Sequence, residues 1–380
     1  MVGYRFSDRL FRRGSGSRMR KIIERALTQV PGLVLGISTK GERTVNAYGH
    51  RQVFGIDSPL PMTVDTSFDA GSLTKILATT AGLMRLVDSG EISLDQQVSN
   101  FVISWVGGEK EEITLRDLLR HRSGLWEWRP LYISVKDSQR TVEEIAMMPL
   151  RYPVNRVRHY SDLGFITLGE ILISVTGESL PNSVRKLLFE PLGMSRTHFA
   201  LPHPGSPIAS TSFGDRIERE MVISKTPFPV PEEAENFTRW RRQVLVGEVN
   251  DGNAFHLFDG ISGHAGLFTD AGDLLTFGES MNASLKGEGS FSREVMALFL
   301  ETGPDAGQQL GFRSWTDTYD GCTSEFFGHT GFPGVVLAFS PSHDSVATLL
   351  TNRLHVEGEI PATELLWQPF LKAIHKKFHE

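Results

Sequence analysis

Ser72 and Lys75 are the residues whose types and spacing could do covalent chemistry. They lie in the segment 71–75 (GSLTK), and apolar residues at helical spacing follow over 76–87. One turn of a helix separates the two residues, so the hydroxyl and the amine lie on the same face. A serine hydroxyl is a weak nucleophile until a neighbouring base takes its proton, which an uncharged amine can do. The pair therefore predicts a serine–lysine hydrolase.

The apolar surroundings of this segment also predict the charge state of the amine. Burial disfavours an ammonium ion, so the sequence predicts a lowered pKa and a deprotonated Lys75. Ser-x-x-Lys is a weak signal by itself, because it recurs in the same chain at Ser183 and Lys186. We interpret the second copy as the solvated side of a helix. The case for Ser72 depends on partners further along the chain.

Two downstream motifs supply candidate partners. Tyr160, followed by Ser161 and Asp162, precedes an apolar helix predicted over 163–172. A tyrosine at such a boundary can reach into a cleft and share a proton with a lysine, provided that a cation lowers its pKa from about 10. The segment 328–334 (GHTGFPG) lies between strand-like runs. Its glycines would let a substrate approach and would leave backbone N–H groups free to bind an oxyanion.

The composition argues against several other classes of function. The chain of 380 residues carries a net charge of −6 and has no extended basic block, so nucleic-acid binding is not expected. Its single cysteine, Cys322, excludes an intrachain disulfide. The histidines lack zinc-site spacing and no nucleotide-binding glycine motif occurs, so we predict neither a metal nor another cofactor. The predicted partner is a small-molecule or peptide substrate.

The first 21 residues are rich in arginine but lack the apolar core of a secretory signal. We interpret them as a solvated leader, with an organelle transit peptide as the alternative. No apolar run of about 18 residues occurs in the chain, so no membrane span is predicted. A cytoplasmic location is therefore expected.

Hydrophobic periodicity predicts strands near both ends of the chain. The predicted elements are, in chain order, a helix over 17–30, strands over 33–38, 44–49, 324–327, 335–339 and 346–351, and a helix over 361–377. The stretch from about 85 to 300 is mostly helical. Within it, the proline-rich segment 201–233 is predicted to be a long irregular loop.

This order predicts an α/β (α+β) fold with two lobes. One antiparallel sheet flanked by helices would form from residues 1–70 and 310–380. Residues 71–309 would be inserted as a mainly helical lobe, with the active site in the cleft between the two lobes.

Three motifs together resemble the serine β-lactamase and penicillin-binding protein family: Ser-x-x-Lys at 72–75, Tyr-Ser-Asp at 160–162 and His-Thr-Gly at 329–331. The similarity is nearest to the branch of class C β-lactamases and D-alanyl-D-alanine carboxypeptidases, and it extends over about 17–378. The resemblance implies the fold described above and an acyl-enzyme mechanism without a metal.

The resemblance also implies a role for individual residues. Ser72 would be the acylated nucleophile, Lys75 its proton acceptor, and Tyr160 the group that passes the proton to the leaving group. The backbone N–H groups of Ser72 and Phe332 would form the oxyanion hole. The residues expected to bind substrate are Trp126, Asp162, His329, Thr330 and Gly331.

Two departures from the family pattern bear on the substrate. His329 stands where β-lactamases usually have lysine, and a mostly neutral histidine attracts a carboxylate weakly. Asp162 stands where the family has asparagine, and a carboxylate cannot donate the hydrogen bond of an amide. The sequence therefore favours an esterase, amidase or peptidase acting on less acidic substrates over an efficient β-lactamase. β-Lactamase or D-alanyl-D-alanine carboxypeptidase activity is one alternative, and a non-catalytic protein that binds cell-wall fragments or peptides is another.

Overall fold

The computed structural model describes residues 15–379, so residues 1–14 of the arginine-rich leader lie outside the described range. Its α-helices are α1 (Ser15–Ala26), α2 (Ala81–Asp88), α3 (Leu115–Leu119), α4 (Leu131–Ser134), α5 (Thr141–Met147), α6 (Asp162–Thr176), α7 (Leu180–Val184), α8 (Glu190–Leu192), α9 (Arg216–Ser224), α10 (Gly252–Phe258), α11 (Ala271–Leu285), α12 (Arg293–Leu300) and α13 (Thr363–His379). Its strands are β1 (Gly32–Thr39), β2 (Glu42–Gln52), β3 (Leu60–Pro61), β4 (Phe68–Asp69), β5 (His198–Phe199), β6 (Ser210–Phe213), β7 (Val244–Val246), β8 (Leu267–Thr269), β9 (Arg313–Tyr319), β10 (Cys322–Gly331), β11 (Val335–Ser340) and β12 (Ser345–Thr351).

The main sheet has seven strands in the order β3-β2-β1-β12-β11-β10-β9, and every neighbouring pair is antiparallel. β1 pairs with β12, with Leu33 opposite Thr351 and Thr39 opposite Ser345. The two ends of the chain therefore meet in the centre of one sheet. This arrangement confirms the predicted antiparallel sheet flanked by helices.

Helices cover both faces of this sheet. On one face α1 and α13 bury an apolar cluster that includes Met19, Trp367 and Phe370. On the other face α11 packs against β12, β1 and β11. A Cβ atom on Gly278 of α11 would lie 2.4 Å from Cγ1 of Val346, so the missing side chain is what lets the helix approach β12. α11 thus covers the sheet, although it lies in the segment predicted to form the helical lobe.

The segment 201–233 is more ordered than its prolines predict. It contains β6 and α9, and Val222 of α9 is fully buried in a cluster with Trp128 and Val230. The prediction of a long irregular loop is therefore wrong for this part, because apolar side chains spaced within it find a common partner surface. The flanking stretches remain loops.

The segment around the nucleophile also differs from the predicted α-helix. A 3₁₀ turn, Gly71–Leu73, is followed by a π-helical turn, Lys75–Thr80, before α2 begins. π-Helical turns are rare and occur frequently at functional sites.

Within residues 15–379 no single helix is long and apolar enough to cross a membrane. Among the described helices, only α6 taken together with Leu180–Leu192 has the length and composition of a membrane span, and the two parts of that pair meet at a bend of 74°.

We predict that Gly278→Val destabilises the protein by about 1–3 kcal/mol, because the added methyl groups overlap Val346 and force α11 away from the sheet. Urea unfolding would measure the change in the free energy of unfolding. Gly272→Ala, in the first turn of the same helix, is the matched control. A Cβ atom at position 272 would have only Oδ1 of Asp270 near it, at 3.2 Å. The free energy of unfolding should therefore change by less than about 1 kcal/mol.

Candidate active site

The turn before Ser72 is held by a buried carboxylate. Asp69 accepts hydrogen bonds from the backbone N–H of Gly71 at 2.8 Å and of Asn250 at 2.6 Å. Gly71 has a φ of 49°, in the left-handed region that favours glycine. Burial raises the pKa of Asp69 to about 6, although the two backbone N–H groups oppose this shift. Asp69 therefore fixes the entry of the chain into the nucleophile segment.

Lys75 lies behind Ser72 and has no exposed surface. Its Nζ donates to Ser72 Oγ at 3.0 Å and to the carbonyl oxygen of His264 at 3.1 Å. The same atom forms an ion pair with Asp162 Oδ1 at 2.7 Å. Of the three N–H donors of an ammonium group, two have hydrogen-bond acceptors here, and the carboxylate of Asp162 lies at ion-pair distance. The surroundings are therefore those of a charged amine.

The electrostatics agree with this geometry. Burial alone would lower the pKa of Lys75, but the carboxylate of Asp162 and the hydroxyl of Tyr160 outweigh it, and the pKa is raised above 10.5. The prediction of a deprotonated Lys75 is therefore wrong for the unliganded protein. The carboxylate of Asp162, predicted to contact substrate, instead contacts Lys75.

Tyr160 is positioned by the start of α6 and by a histidine. Ser161 caps this helix, since its Oγ accepts the N–H of Gly164 at 3.2 Å. His121 Nδ1 accepts the backbone N–H of Ser161 at 3.0 Å, and its ring lies 4.4 Å from the Tyr160 ring. The Tyr160 ring centre is 5.1 Å from Lys75 Nζ, which places a cation beside the phenol.

The β10–β11 turn lies directly beside the nucleophile segment. A Cβ atom on Gly71 would be 2.4 Å from Cδ of Pro333 and 3.3 Å from the nitrogen of Phe332, so only glycine permits this approach. No atom of residues 15–379 accepts a hydrogen bond from the N–H of Phe332. This is the arrangement that an oxyanion hole requires, and the assignment of the Ser72 and Phe332 N–H groups stays a prediction.

One cavity of about 550 Å³ brings most of the predicted site residues together. It is lined by Ser72, Arg158, Tyr160, Arg313, His329, Thr330, Gly331, Phe332, Arg353, Ala362, Thr363 and Glu364. Lys75 and Asp162 lie behind this surface.

Trp126 does not line this cavity. Its ring is sandwiched between the guanidinium groups of Arg129 and Arg151, each 4.8 Å from the ring centre. Its indole N–H donates to the carbonyl of Pro149 at 3.2 Å. The prediction that Trp126 contacts substrate is therefore wrong for this cavity, and the indole instead packs between two cations.

The charge of the cavity also differs from the expectation. Burial, reinforced by the charge of Lys75, holds the pKa of His329 well below its usual value, so this ring is neutral as predicted. Arg158 and Arg313, however, line the same cavity, and neither forms an ion pair with a carboxylate of residues 15–379. Burial and the neighbouring Arg313 both lower the pKa of Arg158. These guanidinium groups, together with that of Arg353 and opposed by the carboxylate of Glu364 in the same cavity wall, favour an anionic ligand. The prediction from the sequence considered only His329 and did not include this attraction.

Sequence reasoning missed several residues of this site. Arg158 lies two residues before Tyr160, where the same loop could have been expected to carry it into the cleft. Asp69, His121 and Arg313 gave no local signal, because each also contacts a residue distant in the chain: Asn250, Ser161 and Thr330, respectively.

Comparisons with known proteins agree with this geometry. The sequence model of the β-lactamase family matches residues 19–368. A protein of Escherichia coli K12, provisionally named D-alanyl-D-alanine carboxypeptidase, is 29% identical over 328 residues, which cover 79% of this chain and 72% of its own. An N-acetylmuramyl-L-alanine amidase of Bacillus subtilis 168 is 29% identical over 378 residues, covering 90% of this chain and 82% of its own.

Solved structures show the same fold. A class C β-lactamase from Rhodobacter sphaeroides superposes with a TM-score of 0.69 at 21% identity, covering 96% of this chain and 99% of its own. EstCE1, a hydrolase with promiscuous acyltransferase activity, superposes with a TM-score of 0.71 at 20% identity, covering 94% and 98%.

We predict that Asp162→Asn lowers the pKa of Lys75, because burial then acts against the ammonium ion with less opposition. An NMR titration of lysines labelled at Cε would follow it directly. The raised pKa keeps the wild-type amine charged below pH 10.5, and its stabilising contribution is lost as the pH rises through the folded-state value. In Asp162→Asn, the amine of Lys75 should titrate at a lower pH than in the wild type. Asp95→Asn, which removes an exposed partner of Arg116, is the control; an unchanged Lys75 titration in Asp162→Asn would contradict the assignment.

Asp69 predicts a specific pH dependence of stability. Its folded-state pKa of about 6 exceeds the ordinary value of 3.8, so the protonated form stabilises the fold and this contribution is lost as the pH rises through 6. The loss between pH 4 and 7 should be about 2 kcal/mol. Denaturant unfolding across this range should show it in the wild type and not in Asp69→Asn. Asp57→Asn should keep the wild-type slope, and parallel slopes in all three proteins would contradict the prediction.

Proposed function

The chain belongs to the β-lactamase family, and we propose that it hydrolyses an amide or ester bond next to a carboxylate through an acyl-enzyme on Ser72. The observation that carries the proposal is the convergence of Ser72, Tyr160 and two unpaired guanidinium groups on one cavity, with the charged Lys75 behind the nucleophile.

The charged amine assigns the proton transfer to tyrosine. Lys75 cannot accept a proton while it is an ammonium ion, so the proposed base is the Tyr160 phenolate, whose ring centre lies 5.1 Å from that charge. The phenolate takes the proton of Ser72 as its Oγ bonds to the substrate carbonyl carbon, and the carbonyl oxygen becomes an oxyanion. When the carbon–nitrogen bond breaks, Tyr160 gives that proton to the leaving amine. A water molecule then attacks the acyl carbon and gives a proton to Tyr160. Tyr160 passes this proton to Ser72 Oγ as the acyl–oxygen bond breaks and the acid is released.

The unpaired arginines support a carboxylate-bearing substrate. Arg313 Nη1 lies 3.5 Å from Thr330 Oγ1, and Arg158 Nε donates to Gln308 Oε1 at 2.8 Å, so both groups are held at the cavity wall with N–H donors to spare. A carboxylate can bind such groups in a bidentate manner. An amino acid as the leaving group would place its α-carboxylate one carbon from the scissile nitrogen.

The named relatives favour the same substrate class. A carboxypeptidase releases a C-terminal residue, and an amidase of N-acetylmuramyl-L-alanine cleaves an amide of that amino acid. The residue that a carboxypeptidase releases carries a free α-carboxylate, and alanine released from N-acetylmuramyl-L-alanine does so when no peptide follows it. We therefore place this chain with amidases or carboxypeptidases acting on acylated amino acids or short peptides, ahead of a simple esterase.

The alternatives differ in a measurable way. β-Lactams also carry a carboxylate, so β-lactamase activity is the second candidate that Arg158 and Arg313 support. A non-catalytic binding role has less support, because the hydrogen bond from Lys75 to Ser72 would have no use in a protein that only binds.

The wild type should be labelled on Ser72 by a fluorophosphonate and should hydrolyse an N-acyl-D-alanyl-D-alanine peptide or N-acetylmuramyl-L-alanine, as measured by the release of alanine. Ser72→Ala should abolish both signals. Ser183→Ala, in the second Ser-x-x-Lys segment, is the matched control and should retain them. Absence of labelling and of turnover on these substrates, p-nitrophenyl acetate and nitrocefin would disprove the hydrolase.

The carboxylate requirement is tested with Arg158→Gln and Arg313→Gln. Each should reduce kcat/KM for the free-acid peptide about 10–100-fold, because a charge-assisted hydrogen bond is lost. Turnover of p-nitrophenyl acetate should change less than threefold. Equal losses on both substrates would contradict a role in carboxylate binding.

A further inference from the structure

We propose that Arg353 is a positioning residue that holds the backbone of Phe332 in the orientation needed for its N–H group to bind the oxyanion. The inference rests on the proposed acyl-enzyme function and adds a residue that is absent from the catalytic motifs. It concerns the turn between β10 and β11, which supplies this N–H group.

Arg353 binds two main-chain carbonyls with one guanidinium group. Its Nε donates to the oxygen of Phe332 at 2.8 Å, and its Nη1 donates to the oxygen of Pro361 at 2.7 Å. Its guanidinium carbon lies 4.9 Å from the centre of the Phe332 ring. Arg353 thus connects the turn to the segment just before α13.

The turn is clamped between Arg353 and the nucleophile segment. On one side a Cβ atom on Gly334 would lie 2.9 Å from Cγ of Arg353, and on the other side Pro333 packs against Gly71. Thr351 adds hydrogen bonds from its N–H and its Oγ1 to the oxygen of Gly334, both at 3.0 Å. These contacts fix the turn at both ends.

Phe332 itself is not held by a core, although the oxygen of the Gly331–Phe332 peptide accepts the N–H of Gly334 at 3.0 Å. Its side chain is 48% exposed, so burial in a core does not restrain this residue. An oxyanion donor contributes only when it is held in place before the charge develops, since reorienting a peptide during reaction costs free energy. Arg353 binds the oxygen of the Phe332–Pro333 peptide, which adjoins the Gly331–Phe332 peptide that carries the N–H group. The hydrogen bond therefore restrains the N–H group through the backbone torsions of Phe332, where packing does not.

The environment of Arg353 favours a functional reason for its retention. The residue is 6% exposed, and its guanidinium group forms no ion pair with a carboxylate of residues 15–379. Burial lowers its pKa to about 10, with a small opposing effect of Glu364, so the group remains charged at neutral pH. A buried cation without an ion-pair partner is costly, and here it lies at the wall of the cavity that would hold the oxyanion.

The test compares Arg353→Gln and Arg353→Lys with the wild type on p-nitrophenyl acetate and on a free-acid peptide. We expect kcat to fall about 10–100-fold in Arg353→Gln on both substrates, while KM changes less than threefold, because a transition-state contact is lost. The affinity of an acylaminoboronic acid, whose adduct with Ser72 mimics the tetrahedral intermediate, should fall in the same proportion. Arg353→Lys should be intermediate, since an ammonium group lacks the planar fork.

Arg85→Gln is the matched control, because Arg85 also binds two main-chain carbonyls, those of Leu187 and Ser290, away from the cavity. It should lower the thermal midpoint without changing kcat. Unchanged kcat and boronate affinity in a folded Arg353 variant would overturn the inference, as would a rise in KM alone. Failure of the wild type to react with both fluorophosphonate and the boronate would instead count against the proposed function. A failure of this inference alone leaves the wild type reactive and the Arg353 variants equal to it.

Discussion

A buried ammonium group is the constraint on which the rest of this site depends. The charge of Lys75 is removed from water, which is tolerable only if its N–H groups have acceptors and a carboxylate lies nearby. The acceptors and the carboxylate come from three parts of the chain: the nucleophile segment, the start of α6 at Asp162 and the carbonyl of His264 just before β8. Their convergence fixes these three segments relative to one another. The position of Tyr160 follows, since it lies two residues before Asp162.

Main-chain geometry supplies a second constraint on the same site. Gly71 allows the β10–β11 turn to come within contact of the nucleophile segment, and Asp69 holds Gly71 in its left-handed conformation. The sheet and the helical region therefore meet through backbone contacts at this point. Close backbone packing of this kind keeps N–H donors in a fixed orientation, because their positions do not depend on side-chain rotamers.

The electrostatic character of the cavity comes from residues outside the three motifs. His329 is neutral, so the carboxylate attraction that a lysine would provide at that position is absent. Arg158 and Arg313 provide it from a different loop and a different strand. Comparing the sequence with the family pattern one position at a time correctly identifies the missing cation at position 329. It does not identify Arg158 and Arg313, because the charge of a cavity depends on all residues that line it.

The sequence by itself determined the antiparallel sheet, most of its main strands, the terminal helices and the choice of Ser72, Lys75 and Tyr160 as candidate site residues, because periodicity and short motifs are local properties. Tertiary structure decided what depends on distant partners. In the folded protein Asp162 lies beside Lys75 and favours its charged form. Apolar residues of the segment 201–233 pack on a common surface, so this segment contains β6 and α9. The ring of Trp126 lies beside the guanidinium groups of Arg129 and Arg151. Burial and charge pairing are set by residues far apart in the chain, so spacing alone could not reveal them.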